Sequence, residues 1–498
     1  MFGSTWGNSN NAFGNPWKVS NPGIKNKKNP MYELQSNILI KKEDIKDGLR
    51  EDRYSELVPS DFVGKLLIVY EKDNIGKSGG HPQWCYVYDC NHGKITYIGR
   101  AIHKCVDMDC LNQNYNEVLY SVLGNLVFDK TKIRVPRINL IKNNGYEENS
   151  PAVLSFSVVQ RDDNQDSEEM FIMKTVAFNK VERKDIYDDR IDIQTILDSV
   201  KIQVMKKVGY EKKKAIEKID DEIINLKIAK QTDPSNKEKY DSQEKLITAI
   251  KNKVINVNSQ TTLESFLKEI SEELDREVTH EEVSKIQIKG NSVETLVGQI
   301  ISISKQKKQN YAELEKSIIQ TTVLDLMTNN TDRHLTNWAL IRDKKTDRYI
   351  LGLFDHATSF YDMGTRNDQI SINKEWLSEN WASSSVYLNT KKDTKLRSST
   401  GIDVFKYLMT HYKEYTLEML QNINKSLPEF EKLIGYDTIP KSEYAKLSED
   451  EKKKYYSSDL DLPVIPKKAV DGLKSKFKRI REDFGIAFDN GKIREYVD

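Results

Sequence analysis

The feature that most constrains the fold of this chain is the polar segment 331–337, which lies between two apolar patterns. An apolar helix pattern ends at Met327, and two short strand patterns joined by a polar turn follow, from Trp338 to Phe354. A hairpin of this length would bring Asp355, at its end, back beside Asn337, at its start. The sequence therefore predicts that a polar loop and the end of a hairpin form one site.

The side chains of this segment suit phosphoryl transfer. Asp332 and Asn337 have the Asp-x4-Asn spacing of the protein-kinase catalytic loop, in which the Asp accepts the proton of a substrate hydroxyl and the Asn holds Mg²⁺. Asp355 adds a second hard oxygen ligand. The alternative is that Asp332 and Asn337 cap a helix or shape a turn. His334 would contact a substrate phosphate or order the loop by a hydrogen bond, and the role of His356 stays open.

The N-terminal half of the chain predicts a small antiparallel sheet with one helix. Glycine and asparagine turns separate short apolar runs, and one stripe of helical period follows them. The predicted strands are Val63–Tyr70, Trp84–Tyr88, Ile95–Lys104 and Val153–Val159, and the predicted helix is Asn114–Phe128.

Two features of this half could serve a nucleotide. The glycine-rich turn 76–80 would let backbone N–H groups approach phosphates, although it is not a Walker A loop, whose leading glycine would fall at Glu71. A kinase also needs a strand lysine oriented by a helix carboxylate, and Lys104 and Glu117 stand at the right elements. Alternatively, Lys104 is an exposed cation and Glu117 only favours the helix dipole. Arg100 is a rival cation.

The C-terminal half reads as helical. Residues 211–256 predict a charged helical hairpin broken at 233–236, and further helices are predicted at 311–327, 404–423 and 467–484. We expect an α+β, two-lobed kinase-like fold with a small antiparallel-sheet N-lobe and a larger helical C-lobe. The expected divisions are an N-terminal tail at 1–60, an N-lobe at 61–165 and a C-lobe at 166–498, with a helical insertion at about 205–305.

Composition excludes few functions but bears on location and partners. The 77 basic and 76 acidic residues give a formal net charge of +1, so nucleic acid is not indicated. No apolar run is long enough to span a bilayer and no signal pattern is present, so we expect a cytoplasmic protein. The Gly/Asn-rich tail is disordered or docks on a partner protein, and the insertion is a solvated helical hairpin or a partner-binding arm.

The four cysteines fall in one stretch. Cys85, Cys90, Cys105 and Cys110 have C-x4-C spacings that are wider than the knuckles of common zinc ribbons, although three histidines lie among them. We favour small buried thiols in a reducing compartment over a structural zinc site.

Several motifs resemble those of the HipA-like serine/threonine kinases. Asn330–Leu340 is similar to the catalytic loop of that family, Phe354–Asp355 to its metal-binding pair and Ser78–Pro82 to its nucleotide loop. Lys104, Asn116–Glu117 and Gln160–Asp162 match its strand lysine, its helix start and its hinge. The resemblance implies ATP and Mg²⁺ as cofactors. The implied residues are Asp332 and His334 for catalysis, Asn337 and Asp355 for metal, and Ser78, Gly79, Gly80, Lys104, Glu117 and Arg161 for the nucleotide.

Departures from the family pattern leave the substrate open. His81 stands where glutamine is usual, His356 follows the metal-binding aspartate, and 205–305 has no family counterpart. Phosphoinositide kinases carry a similar Asp-Arg-His-x-x-Asn, so a lipid or small-molecule substrate is a second expectation. A pseudokinase that serves as an interaction protein is a third.

Overall fold

The computed structural model describes residues 37–41, 64–74, 83–90, 96–105, 111–142, 151–159, 167–173, 191–330, 333, 335–360, 386–387, 401–434, 448, 464–489 and 492–495. These residues form a mixed α and β structure. The strands are β1 (Asn37–Lys41), β2 (Leu66–Asn74), β3 (Gln83–Asp89), β4 (Thr96–Cys105), β5 (Ile133–Arg134), β6 (Ile138–Lys142), β7 (Pro151–Phe156), β8 (Glu168–Ile172), β9 (Ile191–Asp192), β10 (Gln287–Ile288), β11 (Asn291–Ser292), β12 (Trp338–Asp343), β13 (Tyr349–Leu353), β14 (Val386–Tyr387), β15 (Ile486–Asp489) and β16 (Lys492–Glu495). The helices are α1 (Leu111–Val127), α2 (Ile193–Thr232), α3 (Lys237–Val254), α4 (Leu263–Leu274), α5 (His280–Lys285), α6 (Val293–Thr328), α7 (Gly401–His411), α8 (Lys413–Leu433) and α9 (Val464–Phe484).

A six-stranded sheet has the order β1-β2-β3-β4-β7-β6. Its pairs are antiparallel, as predicted, except that β1 runs parallel to β2. The strand β1 lies within the predicted N-terminal tail of residues 1–60 and pairs as an edge strand, which the sequence analysis did not predict. A parallel pair needs a long connection and no tight turn, so no hairpin signal in the sequence marks it.

The two faces of this sheet are packed differently. One face carries a small apolar core that includes Ile68, Val87 and Ala101. On the other face α1 packs against β6 and β7 and contributes to the largest core. Lys104 is paired in register with Val153, which belongs to that largest core, so Lys104 lies on the α1 face.

A second sheet has the order β5-β13-β12-β8. Its centre is the predicted hairpin, in which Trp338 pairs with Leu353 and Arg342 with Tyr349. The edge strands β5 and β8 were not predicted. Both are short, and neither has the alternating pattern that marks a half-buried strand.

Two separate helical cores lie along α6. The first contains α1, the start of α2, the C-terminal half of α6 and α7 to α9. The second, which we call the helical subdomain, contains apolar residues of 215–301 from the end of α2, from α3 to α5 and from the start of α6. The predicted helical hairpin is confirmed, because α2 ends at Thr232 and α3 begins at Lys237.

Two helix predictions differ from the structure. The helix predicted at 311–327 is the last part of the 36-residue α6. The single helix predicted at 404–423 is two helices, because Tyr412 leaves the helical conformation at φ −141° and α8 starts anew after it. Among the described helices, none combines the length and the apolar character needed to cross a membrane.

Candidate active site

Three charged side chains from distant parts of the chain meet near the end of β4, on the α1 face of the six-stranded sheet. Lys104 Nζ lies 2.7 Å from Glu117 Oε1 and 3.2 Å from Asp355 Oδ1. Lys104 is near the end of β4, Glu117 is in α1, and Asp355 follows β13. The sequence prediction paired Lys104 with Glu117 and placed Asp355 elsewhere in the site, so their convergence on one amine is new information.

The burial of these groups differs sharply. The Glu117 side chain is 2% exposed, Lys104 is 21% exposed and Asp355 is 45% exposed. Burial raises the pKa of the Glu117 carboxyl, and the Lys104 charge opposes that shift. Burial alone would lower the pKa of the Lys104 amine, but the carboxylates of Glu117 and Asp355 outweigh it and hold the pKa above its ordinary value. The amine is therefore a fixed cation, anchored on its buried side and open towards Asp355.

The loop and the hairpin bring Asn337 and Asp355 together at the backbone level, as predicted. The Phe354 amide donates to the Asn337 carbonyl at 3.0 Å, which closes the hairpin one position before Asp355. Asp355 has a φ of 53°, in the left-handed region that non-glycine residues rarely occupy. Such strain occurs most often where a side chain must be aimed for function.

The donor set suits a hard divalent cation. Asp355 offers a half-exposed carboxylate and Asn337 an amide oxygen, and Mg²⁺ at nucleotide sites takes few protein ligands and draws the rest from phosphates and water. Among the residues that the structure describes, no three His, Cys, Asp or Glu side chains cluster as a metal site. The oxygen donors of Asn337 and Asp355 are of the kind that Mg²⁺ accepts, with its remaining ligands supplied by other groups.

A buried polar network behind the site was missed by the sequence reasoning. Arg333 and Asp325 form an ion pair in which each side chain is 1% exposed, with contacts of 2.9 Å and 3.0 Å. The same carboxylate accepts from the Tyr120 hydroxyl at 2.9 Å and from the Asn330 amide at 3.0 Å. We call Asp325, Arg333, Tyr120, Asn330 and His356 the site network.

His356 completes this network from the loop that carries Asp355. Its ring stacks on Tyr120 at 4.0 Å between centroids, and its Nδ1 lies 2.9 Å from Arg333 Nη2. Burial lowers the pKa of His356 well below its usual range, and the charges of Arg333 and Lys104 lower it further. The ring is therefore neutral, and Nδ1 accepts a hydrogen bond from Arg333. This observation gives His356 a structural role that the sequence left open.

The helix α1 is tied to the Asp355 loop at several points. Asn116 Nδ2 donates to the Ala357 carbonyl at 3.1 Å. Tyr120, one turn along α1, supports the His356 ring. The helix that orients Lys104 is thus fixed to the segment that carries Asp355.

The entry to the polar loop is held by a buried lysine of α9. Lys476, 3% exposed, donates to the carbonyls of Leu326 and Met327 at 2.9 and 2.8 Å. These carbonyls belong to the last turn of α6, where the helix leaves acceptors unpaired and favours a positive charge. The turn before the loop is therefore capped from another helix.

Six of the predicted site residues lie outside the described residues: Asp332, His334, Ser78, Gly79, Gly80 and Arg161. Their roles stay predictions. The rival cation Arg100 lies over the Trp84 ring, 4.1 Å from its centroid, whereas Lys104 reaches two carboxylates. The structure therefore favours Lys104 over Arg100 as the cation paired with α1.

The cysteine stretch is only partly described. Cys85 and Cys90 are buried, and the Cys85 thiol donates to the Ala101 carbonyl at 3.4 Å. Burial raises the pKa of the Cys90 thiol. These two behave as small buried thiols, while the side chain of Cys105 and all of Cys110 lie outside the described residues.

Comparison with known proteins gives limited similarity. No protein-family model matches the chain, and no curated protein matches its sequence. Among solved structures, the proinflammatory kinase CtkA of Helicobacter pylori is similar at 12% identity and a TM-score of 0.39. The match covers 86% of this chain and 93% of the kinase. Similarity at this TM-score carries no weight for function, so the proposal below rests on the geometry of the site.

Proposed function

We propose that this protein is an ATP- and Mg²⁺-dependent phosphotransferase with a two-lobed, kinase-like arrangement. The observation that carries the proposal is the contact of one strand lysine, Lys104, with a helix carboxylate, Glu117, and with Asp355 at the end of the hairpin. A kinase site uses a lysine oriented by a helix glutamate and an aspartate that binds metal beside the phosphates. In this proposal the six-stranded sheet with α1 is the small lobe, and the other helices of the first core are the large lobe.

Each residue has a distinct role in this mechanism. Lys104, held by Glu117, neutralises nucleotide phosphates, and its partly open position leaves room for them. Asn337 and Asp355 hold Mg²⁺, which supplies charge neutralisation to the phosphates when bound. Asp332 accepts the proton of the attacking hydroxyl, a role assigned from its Asp-x4-Asn spacing. Catalysis of this kind depends mostly on positioning and electrostatics. The buried residues that hold these side chains in place are therefore as important for the rate as the side chains themselves.

The substrate class is proposed from the resemblance to the HipA-like kinases. That resemblance favours a serine or threonine hydroxyl of a protein. The Asp-Arg-His-x-x-Asn segment at 332–337 is also similar to that of phosphoinositide kinases, so a lipid alcohol is the second candidate. A pseudokinase is disfavoured because the sequence retains Asp332, Asn337 and Asp355, the acidic and amide groups that metal binding needs.

The test is to incubate the pure protein with γ-labelled ATP and Mg²⁺, alone, with an unrelated acceptor protein and with mixed lipid vesicles. We expect label in protein at serine or threonine, and its loss in Asp332→Asn and Asp355→Asn variants that keep the wild-type circular dichroism spectrum. Label in the lipid extract alone would favour the second candidate. Phosphotransfer at the wild-type rate in both variants would refute the proposal.

A further inference from the structure

We infer that Arg333 is a positioning residue that fixes the backbone of Asp355, and that its charge does not contact a phosphate. This inference rests on the proposed function, because it gives Asp355 the role of metal ligand. It adds a residue whose task is to hold that ligand in place. The inference draws on the contacts of one guanidinium with both neighbours of Asp355.

The guanidinium of Arg333 holds the chain on either side of Asp355. Nη1 donates to the Phe354 carbonyl at 2.8 Å, and Nη2 donates to His356 Nδ1 at 2.9 Å. Asp355 itself has a φ of 53°. Aspartate tolerates this region better than most non-glycine residues, but contacts around it must still select the conformation. Arg333 supplies that restraint directly, one residue before and one after.

The donors of Arg333 are fully used by this arrangement. Nε and Nη2 bind the two oxygens of Asp325, Nη2 also serves His356, and Nη1 serves the carbonyls of Phe354 and, at 3.4 Å, Asn337. The five N–H groups of a guanidinium thus meet five acceptors. With the side chain 1% exposed, no donor is left to reach a phosphate. A lysine could not replace this planar fork.

The carboxylate of Asp325 explains why a charge is tolerated at this depth. An unpaired buried cation would be strongly destabilising, whereas the two-point pair with Asp325 compensates it. Asp325 is in turn held by Tyr120 and Asn330. The pair therefore anchors the guanidinium, and the guanidinium anchors the Asp355 loop to the end of α6.

The test compares Arg333→Lys with Tyr120→Phe. Arg333→Lys keeps the charge opposite Asp325 but loses the fork on Phe354 and His356. Tyr120→Phe is the matched control, because it removes one hydrogen bond to the same carboxylate and keeps the ring under His356. The first readout is hydrogen exchange of the 354–359 amides in metal-free and nucleotide-free protein. The second is Mn²⁺ binding in the presence of ADP, followed by electron paramagnetic resonance.

We expect Arg333→Lys to accelerate exchange in 354–359 and to weaken Mn²⁺ binding by about 10–100-fold, the usual effect of losing a residue that orients a metal ligand. ADP binding without metal should not change. Tyr120→Phe should lower the melting temperature and leave both readouts as in the wild type. Equal changes in the two variants would show general loosening and overturn the inference, as would a folded Arg333→Lys with wild-type exchange and Mn²⁺ affinity.

A second variant covers the case in which Arg333→Lys does not fold. His356→Phe keeps a ring on Tyr120 and removes only the Nη2 acceptor. It should accelerate exchange of the same amides by a smaller factor, and unchanged exchange would contradict the inference. Failure of the proposed function would look different. The wild type would then bind neither ADP nor Mn²⁺, while the exchange data would still show whether Arg333 holds the loop.

Discussion

The two halves of α6 differ in how many polar side chains they bury among apolar ones. The C-terminal half, next to the site, buries a run of polar side chains that includes Ser317, Thr321, Asp325 and Thr328. The N-terminal half, in the helical subdomain, buries mainly apolar ones, among them Val297 and the isoleucines of the same stripe. One continuous helix therefore packs into two apolar cores, and the core next to the site also encloses the larger set of buried polar side chains.

The two regions also differ in whether their charged side chains are exposed or buried. In the helical subdomain the charges stay near the surface, as in the pair of Arg276 with Glu282, whose side chains are 39% and 36% exposed. Exposed pairs of this kind contribute little to stability. Near the site the side chains of Asp325 and Arg333 are buried. A buried charge without its partner would be destabilising, whereas the complete ion pair holds both side chains in one geometry. The buried ion pair at one end of the helix thus fixes the geometry of the side chains behind the site, whereas the exposed pairs at the other end do not have this role.

The largest expected effect on stability is at Asp325. Asp325→Ala leaves the Arg333 charge buried and unpaired, which should lower the free energy of unfolding by about 3–5 kcal/mol. The matched change in the helical subdomain, Glu282→Ala, should cost about 0–1 kcal/mol. Urea unfolding followed by circular dichroism measures both. Similar losses in the two variants would remove the contrast between the regions.

The next effect is on activity. Lys104→Met removes the cation held by Glu117 and should reduce phosphotransfer by about 10²–10³-fold, the range for losing one preorganised donor. Lys251→Met breaks the pair with Asp220 in the helical subdomain and should leave the rate unchanged. Initial rates with labelled ATP decide this. A comparable loss in the Lys251 variant would tie the helical subdomain to catalysis.

A third effect concerns buried polarity outside the site network. Burial lowers the pKa of His103, on the other face of β4 from Lys104, from 6.5 to about 4. As the pH falls, His103 is therefore protonated in the unfolded chain before it is protonated in the folded protein. Its contribution to the free energy of unfolding is fully present above pH 6.5 and is lost as the pH drops towards 4. The total is about 3 kcal/mol at about 1.4 kcal/mol per pH unit.

The measurement is the free energy of unfolding between pH 7 and pH 4 for the wild type and for His103→Gln. The variant should lose less stability on acidification. Parallel curves for the wild type and His103→Gln would show that His103 contributes nothing to acid sensitivity.

The smallest expected effect is in the apolar interior. Ile270→Val removes one methylene from the core of the helical subdomain and should cost about 0.5–1.5 kcal/mol. Phosphotransfer per folded molecule should not change. Thermal unfolding and initial rates measure the two parts. A fall in the rate without a fall in stability would mean that the apolar region also controls the site.

Much of the fold could be predicted from local patterns. Alternating apolar residues gave β3, β4 and β7, the helical stripe gave α1, and the polar turn at 343–347 gave the β12–β13 hairpin. Because a hairpin fixes which ends meet, the closeness of Asn337 and Asp355 followed as well. The sequence therefore predicted the parts of the site that depend on neighbours along the chain.

The missed parts depend on contacts between distant segments. The parallel pairing of β1 with β2 is not marked by a tight turn in the sequence. The site network joins distant residues, such as Tyr120 and Asp325, which are 205 positions apart, and no local period encodes such a contact. One signal was present. Asp325 is the one charged residue in the apolar run 323–327. Because a carboxylate buried on a helix is stable only with a hydrogen-bonding or charged partner, this pattern predicts that such a partner is buried beside it.

The most direct test of the central claim is labelling with an acyl-phosphate derivative of ATP, which transfers its acyl group to a lysine beside the bound phosphates. Mass spectrometry of the digested protein then locates the label. We expect labelling of Lys104 that free ATP and Mg²⁺ suppress and that Asp355→Asn reduces. Labelling spread over surface lysines, or labelling of Lys104 that excess ATP leaves unchanged, would contradict the account.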